Sequence, residues 1–342
     1  MRKWIGVFGI FAMCCGDSKE TRLQRFLLQS NELVKNQQEA QAEHYLKEAL
    51  KLDSCFADAW NNLGTLYFNQ KKFTLALEHY NNALTCRPDY LEAYFNRANT
   101  AYELREYYSA LKDIDKILRS KPDTAIAFFS QGLVYTRLRE FDKALASFQK
   151  ARSLDRSNAE IWVNLGTVRY YKKQFDSAQF DLQVALKLNP GEANVYNALA
   201  MIAIELKHYD QAEAWLAKAL ALKPDDPFYL NNRGYISLLN KDVEKAKEDI
   251  DLSISLDPYN GWAYRNKGIY YMMVGNHEDA IRLLMQAVEM DPFIEKVYCY
   301  LGEAYLLAGD HKLACKNFKK GFERNELTEK EFVDRCSRYE LR

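Results

Sequence analysis

Apolar side chains recur along this chain at i, i+3, i+4 and i+7, the spacing of one stripe on an α-helix. In "AWNNLGTLYFNQ" (59–70) the stripe is Trp60, Leu63, Gly64 and Tyr67, and it returns in "IWVNLGTVRY" as Trp162, Leu165 and Gly166. Trp60 and Trp162 are 102 residues apart, three periods of 34. The period does not slip: counting back by 34 from Ala314 meets alanine at every step down to Ala42. With units starting at Leu23, Ala57, Leu91, Ala125, Ala159, Ala193, Pro227, Gly261 and Glu295, that alanine is position 20. Position 8 is always small, from Ser30 and Gly64 through Gly268 and Gly302. Position 4 is large and mostly aromatic, and position 32 is proline in six units. No stretch alternates as a strand would, so the pattern predicts paired helices throughout.

A small residue at position 8 facing Ala at position 20 lets the two helices of a unit approach closely. A larger side chain there would overpack the crossing at a cost of about 1–3 kcal/mol. Six prolines fall between units and Pro227 opens one, where its missing N–H does no harm. Gly275 and Gly309 share position 15, the expected C-cap between paired helices.

These residues at these spacings resemble the tetratricopeptide repeat family in its helix–turn–helix form. The resemblance covers 23–328 as 23–56, 57–90, 91–124, 125–158, 159–192, 193–226, 227–260, 261–294 and 295–328. It implies an all-α, right-handed superhelical solenoid of nine 34-residue repeats. The segment 329–342, with Phe332, Val333, Cys336 and Tyr339 on one side of a short helix, is expected to cap the last repeat. The unbroken frame predicts one extended array rather than the two or three domains that length alone suggests.

Composition adds little. The 47 basic and 47 acidic residues balance, so no excess charge draws the chain to nucleic acid, and none is expected as a partner. The N-terminus is different. Arg2 and Lys3 precede ten uncharged, mainly apolar residues, Trp4 to Met13, followed by Cys14, Cys15 and a polar stretch. Ten residues are about half a membrane span, whereas a basic start, a short apolar run and an abrupt stop fit a secretory signal. The segment resembles a bacterial lipoprotein signal over 1–15, followed by a short polar linker, 16–22. The resemblance implies lipidation of Cys15, with Cys14 as the alternative, and anchoring in the bacterial envelope, at the outer membrane. The other reading of 1–15 is an apolar helix packed on the first repeat.

The remaining cysteines, Cys55, Cys86, Cys299, Cys315 and Cys336, show no zinc-ligand spacing and leave at least one thiol free. Cys86 is expected to be a small buried hydrophobe, and a Cys299–Cys315 bridge is conceivable. The histidines, His44, His79, His208, His277 and His311, lie on second helices or turns, and His277 and His311 are expected to be solvated turn residues. No triad, metal constellation or phosphate loop emerges, so no catalytic residue, cofactor or metal is assigned and the chain is not expected to be an enzyme.

A binding surface is left. The family resemblance implies that positions 2, 5, 6, 9, 12 and 13 line a concave face. Position 6 carries Asn62, Asn96, Asn164, Asn232 and Asn266. Such amides can give and accept hydrogen bonds along a peptide backbone; equally, they can bond between repeats. The later half of the groove is apolar, with Phe228 and Trp262 at position 2 and Tyr235 and Ile269 at position 9. Met272 follows at position 12, beside Met273 and Leu307. The expectation is a lipid-anchored, non-enzymatic scaffold that binds an extended or helical segment of a partner protein. Two alternatives stay open: a regulatory subunit of an envelope enzyme (peptidoglycan hydrolase, protease or glycosyltransferase), and a cytoplasmic co-chaperone-like adaptor.

Overall fold

The structure, a computed structural model, describes residues 18–336. The lipidation candidates Cys14 and Cys15, and the rest of the signal segment, lie outside the described residues. The chain packs as two compact units that divide between Arg156 and Ser157. Where most units carry the position-32 proline, the divide has Arg156.

The first unit holds α1 (Lys19–Lys35), α2 (Glu39–Leu52), α3 (Ala57–Asn69), α4 (Phe73–Cys86), α5 (Leu91–Glu103), α6 (Tyr107–Ser120), α7 (Ala125–Arg137) and α8 (Phe141–Leu154). The second begins with α9 (Ala159–Tyr171), α10 (Phe175–Leu188), α11 (Ala193–Glu205), α12 (Tyr209–Leu222), α13 (Pro227–Leu239) and α14 (Val243–Leu256). It continues with α15 (Gly261–Met273), α16 (His277–Met290), α17 (Val297–Leu307), α18 (His311–Glu323) and α19 (Glu329–Cys336). Helix α1 starts at Lys19, capped by Ser18, whose Oγ accepts from the Thr21 N–H at 3.1 Å. Residues 19–22 are therefore helix, not linker.

Within each unit the odd helix packs on the following even helix, and each even helix packs on the next odd one. The position-20 alanines sit at these crossings with 0–1 % exposure. The partner of the position-8 glycine differs from expectation: it is the side chain at position 24. A Cβ on Gly132 would lie 2.6 Å from the Phe148 ring, and one on Gly166 would lie 2.7 Å from Leu182 Cγ. The main chain of Ala178 is also close, its carbonyl oxygen 3.2 Å from that Cβ position. Glycine thus makes room for a large buried side chain, and alanine for the backbone.

Position 15 takes the left-handed conformation in every repeat. Gly275 and Gly309 have φ of +82° and +85°, and Gln37, Lys71, Arg105, Arg139, Lys173, Lys207 and Lys241 have φ between 58° and 64°. The hydrogen bonds around it form a Schellman closure: the Lys72 N–H donates to Tyr67 O at 2.9 Å and the Lys71 N–H to Phe68 O at 2.9 Å. Basic side chains there also suit the negative end of the helix dipole.

Candidate functional site

The five position-6 asparagines lie on first helices as expected, but their amides are engaged. Asn62 donates to Asn31 Oδ1 at 3.0 Å, Asn96 to Asn61 Oδ1 at 3.0 Å and Asn232 to Asn197 Oδ1 at 2.8 Å. Asn266 donates to Asn231 Oδ1 at 2.8 Å and is fully buried. Asn164 instead donates to Glu160 O of its own helix at 2.9 Å. Four of the five therefore tie one repeat to the preceding one. The expected grip on a peptide backbone is corrected for Asn266, which no partner reaches in this conformation.

The apolar residues divide into two sets. Tyr235 and Ile269 are buried at 8 % exposure each and belong to the core of the second unit, which corrects their assignment to a binding surface. Phe228 is 48 % exposed, and Met273 and Leu307 are 41 % and 54 % exposed. Trp262 and Met272 are half-buried. Trp262 is held by Arg265, one helical turn on, whose guanidinium lies 4.8 Å from the indole and 4.7 Å from the Tyr235 ring. Arg265 is buried; its Nε and Nη2 donate to Asn266 Oδ1, and Nη1 donates to Glu295 O at 2.9 Å. Tyr235 and Tyr300, two repeats apart, bring their hydroxyls to 3.0 Å. Neither Arg265 nor Tyr300 was singled out from the sequence. The available signal was a charge at position 5 of a frame that otherwise carries uncharged residues there.

Second helices carry another unforeseen feature, an aspartate at position 23 clamped by arginine. Arg97 Nε and Nη2 reach the Asp113 carboxylate at 2.7 Å each, and Arg233 holds Asp249 in the same bidentate way at 2.7 and 2.6 Å. In a third repeat Arg169 reaches Asp181 from position 11, at 2.6 Å. These aspartates are buried at 0–6 % exposure, so each clamp balances a charge inside its repeat.

Cys55 and Cys86 form a disulfide with a Cα–Cα distance of 5.3 Å, which joins the end of the first repeat to the end of α4. Cys86 is thus a bridge rather than a free hydrophobe. Cys299 and Cys315 are free thiols and do not bridge. Burial, with the Glu326 carboxylate nearby, pushes the Cys299 thiol up to about 12. His79 is sandwiched between Trp60 and Tyr67 with ring centroids 5.4 and 5.0 Å away. Burial lowers its pKa below the usual imidazole value, and its Nδ1 has no hydrogen-bond partner.

No protein with a curated description matches the sequence. Among solved structures, a chain of the APC/C hetero-tetramer Cut9–Hcn1 superposes with a TM-score of 0.64 at 19% identity, covering 94% of this chain. This chain spans 63% of that one, less than two thirds of its length. A tetratricopeptide repeat protein from Parabacteroides merdae also gives a TM-score of 0.64, at 21% identity over 74% of this chain and 99% of the other. Tetratricopeptide repeat models match residues 57–90, 95–159, 169–231, 229–260 and 265–318. With helix pairs in every 34-residue unit and these matches over most of its length, the chain belongs to the tetratricopeptide repeat family.

Proposed function

We propose that the chain is a non-catalytic scaffold that binds a segment of a partner protein along the first helices of its second unit. The observation that carries this reading is the exposure of Phe228, Met273 and Leu307 after the neighbouring amides have been used up between repeats. Phe228, Met273 and Leu307 keep large apolar side chains at the surface of first helices in three consecutive repeats, which suits a protein interface. Side-chain contacts rather than asparagine-to-backbone bonds would then supply the affinity. A photo-crosslinking residue at Phe228, Met273 or Leu307 is expected to give a discrete adduct in native membranes, whereas one at the exposed second-helix residue Glu248 gives none. Adducts from Glu248 alone would move the interface off the first helices.

The scaffold is further proposed to be lipid-anchored in a bacterial envelope through Cys15, or Cys14. Supporting this location is the Cys55–Cys86 disulfide, since such bonds persist in oxidising compartments and are rare in the cytosol. Metabolic labelling with a palmitate analogue tests it: Cys15→Ala loses label and partitions to the soluble fraction, Cys14→Ala does so far less. Retention of label and membrane association by both variants, and by the double variant, would remove the anchor from the reading.

A further inference from the structure

Helix α6 of the first unit carries Lys112, Lys116 and Arg119 at i, i+4 and i+7, so three cations share one helix face. All three are exposed, and none forms an ion pair among the described residues. They line a cleft of about 460 Å³ that Tyr94 and Arg97 of α5 complete. The Arg97 guanidinium lies 5.4 Å from the Tyr94 ring. Asp115 also faces the cleft and accepts from Gln131 Nε2 at 3.4 Å.

Exposed lysines alone mark a solvated face; the surroundings of this row set it apart. Arg97 is engaged inside its repeat, clamping Asp113 and donating to Asn81 Oδ1 at 2.7 Å. The clamp cancels the Asp113 charge, so the α6 row faces Asp115 alone and the cleft is net positive. The row is not needed to build such a clamp. In the repeat 227–260 Arg233 holds Asp249 in the same way, with Glu248, Leu252 and Ser255 at the positions of Lys112, Lys116 and Arg119. The spacing and Asp115 together select the occupant. Side chains at i, i+4 and i+7 are about 6 and 4.5 Å apart along the helix axis. Carboxylates on alternate residues of an extended segment stand about 6.6–6.8 Å apart, so one segment running along α6 meets two or three of the cations. Asp115 needs a donor beside them. A peptide backbone supplies N–H groups, whereas an ionised phosphate offers acceptors alone.

We infer that the α5–α6 cleft binds an extended acidic segment of a partner protein, with Lys112, Lys116 and Arg119 on its carboxylates and Asp115 on its backbone. This site is additional to the apolar first-helix surface of the second unit and does not depend on it.

Fluorescence anisotropy of the full chain with a labelled octapeptide of alternating Ser and Glu tests the cleft, beside the same peptide with Gln for Glu. Wild type is expected to bind the glutamate peptide about tenfold more tightly at low salt, and the margin should shrink as salt is raised. Lys112→Gln with Lys116→Gln and Arg119→Gln should abolish the preference. Lys312→Gln with Lys316→Gln and Lys319→Gln, an equal charge change on exposed α18 positions, should keep it. Tripolyphosphate and phosphatidylglycerol vesicles serve as competitors against the unlabelled glutamate peptide at equal charge concentration. Equal binding of the two peptides by wild type, absence of binding, or the same loss in the α18 control overturns the inference. Displacement by tripolyphosphate or by vesicles in preference to the glutamate peptide overturns it too, and assigns the cleft to phosphate or to lipid. None of these outcomes bears on the crosslinks expected at Phe228, Met273 and Leu307.

Discussion

The side-chain amide of Asn266 donates to Asn231 Oδ1 at 2.8 Å across 35 residues, and its own carbonyl oxygen accepts from Arg265. One buried asparagine thus joins two repeats and accepts two hydrogen bonds from a guanidinium. Asn266→Ala leaves Asn231 Oδ1 and Arg265 without this partner in a dry site, which costs about 1–3 kcal/mol. Asn62→Ala removes a more exposed bond to Asn31 and costs about 1 kcal/mol or less. Urea titrations of the two variants give the comparison. Equal and negligible losses would show that the Asn266 amide contributes nothing to repeat stacking.

Reduction of Cys55–Cys86 is expected to loosen the first two repeats. A bridge across a separation of 31 residues constrains the unfolded chain by about 3–4 kcal/mol on the chain-entropy account. Because stability in a repeat array is largely local, faster hydrogen exchange after dithiothreitol should concentrate in 18–90. An equal rise across the second unit would contradict that locality.

His79 should make the first unit sensitive to mild acid. Its folded pKa lies below the ordinary 6.5, so the unfolded chain takes up the proton first. The stability contributed by the neutral ring is present above about pH 6.5 and declines as pH falls through that value toward the folded pKa. His79→Phe keeps a ring between Trp60 and Tyr67 and should flatten the melting temperature between pH 7 and 5. A slope unchanged by the substitution would assign the effect to other groups.

Position 15 offers a test of backbone strain. Lys241 holds φ of 64° with a side chain, whereas a Cβ added to Gly275 at φ of +82° would meet nothing within 4 Å. Gly275→Ala should therefore cost about 1–2 kcal/mol through conformation alone. Lys241→Gly should be neutral or stabilising by up to about 1 kcal/mol, relief of strain being partly offset by the entropy of glycine in the unfolded state. Thermal melts of both variants check the signs; stabilisation by Gly275→Ala would refute the left-handed assignment.

The 34-residue period determined the helix pairs, the burial of Ala42 through Ala314 and the placing of the prolines at boundaries, because these features need only local helix periodicity and contact with the next helix. The Cys55–Cys86 bridge was not legible, because it joins the turn before α3 to the end of α4 in the next repeat, a contact that the packing of two repeats decides. The left-handed turn was visible only at Gly275 and Gly309, since Lys or Arg in the other repeats gives no glycine signal for the same backbone. What tertiary structure alone decided was which inward positions stay open. Tyr235 and Ile269 share a helix stripe, at i and i+4, with the positions of exposed Met273 and Leu307, yet Tyr235 meets Tyr300 two repeats on and Asn266 is buried against Arg265. The left-handed turn at Lys296 brings Glu295 to Lys173, and this contact depends on the path of the whole second unit rather than on any one repeat. A period records what each residue does to its neighbours along the chain and in the next repeat. It carries no information on which faces meet again several repeats later, because that follows from the accumulated rotation of every packed pair between them.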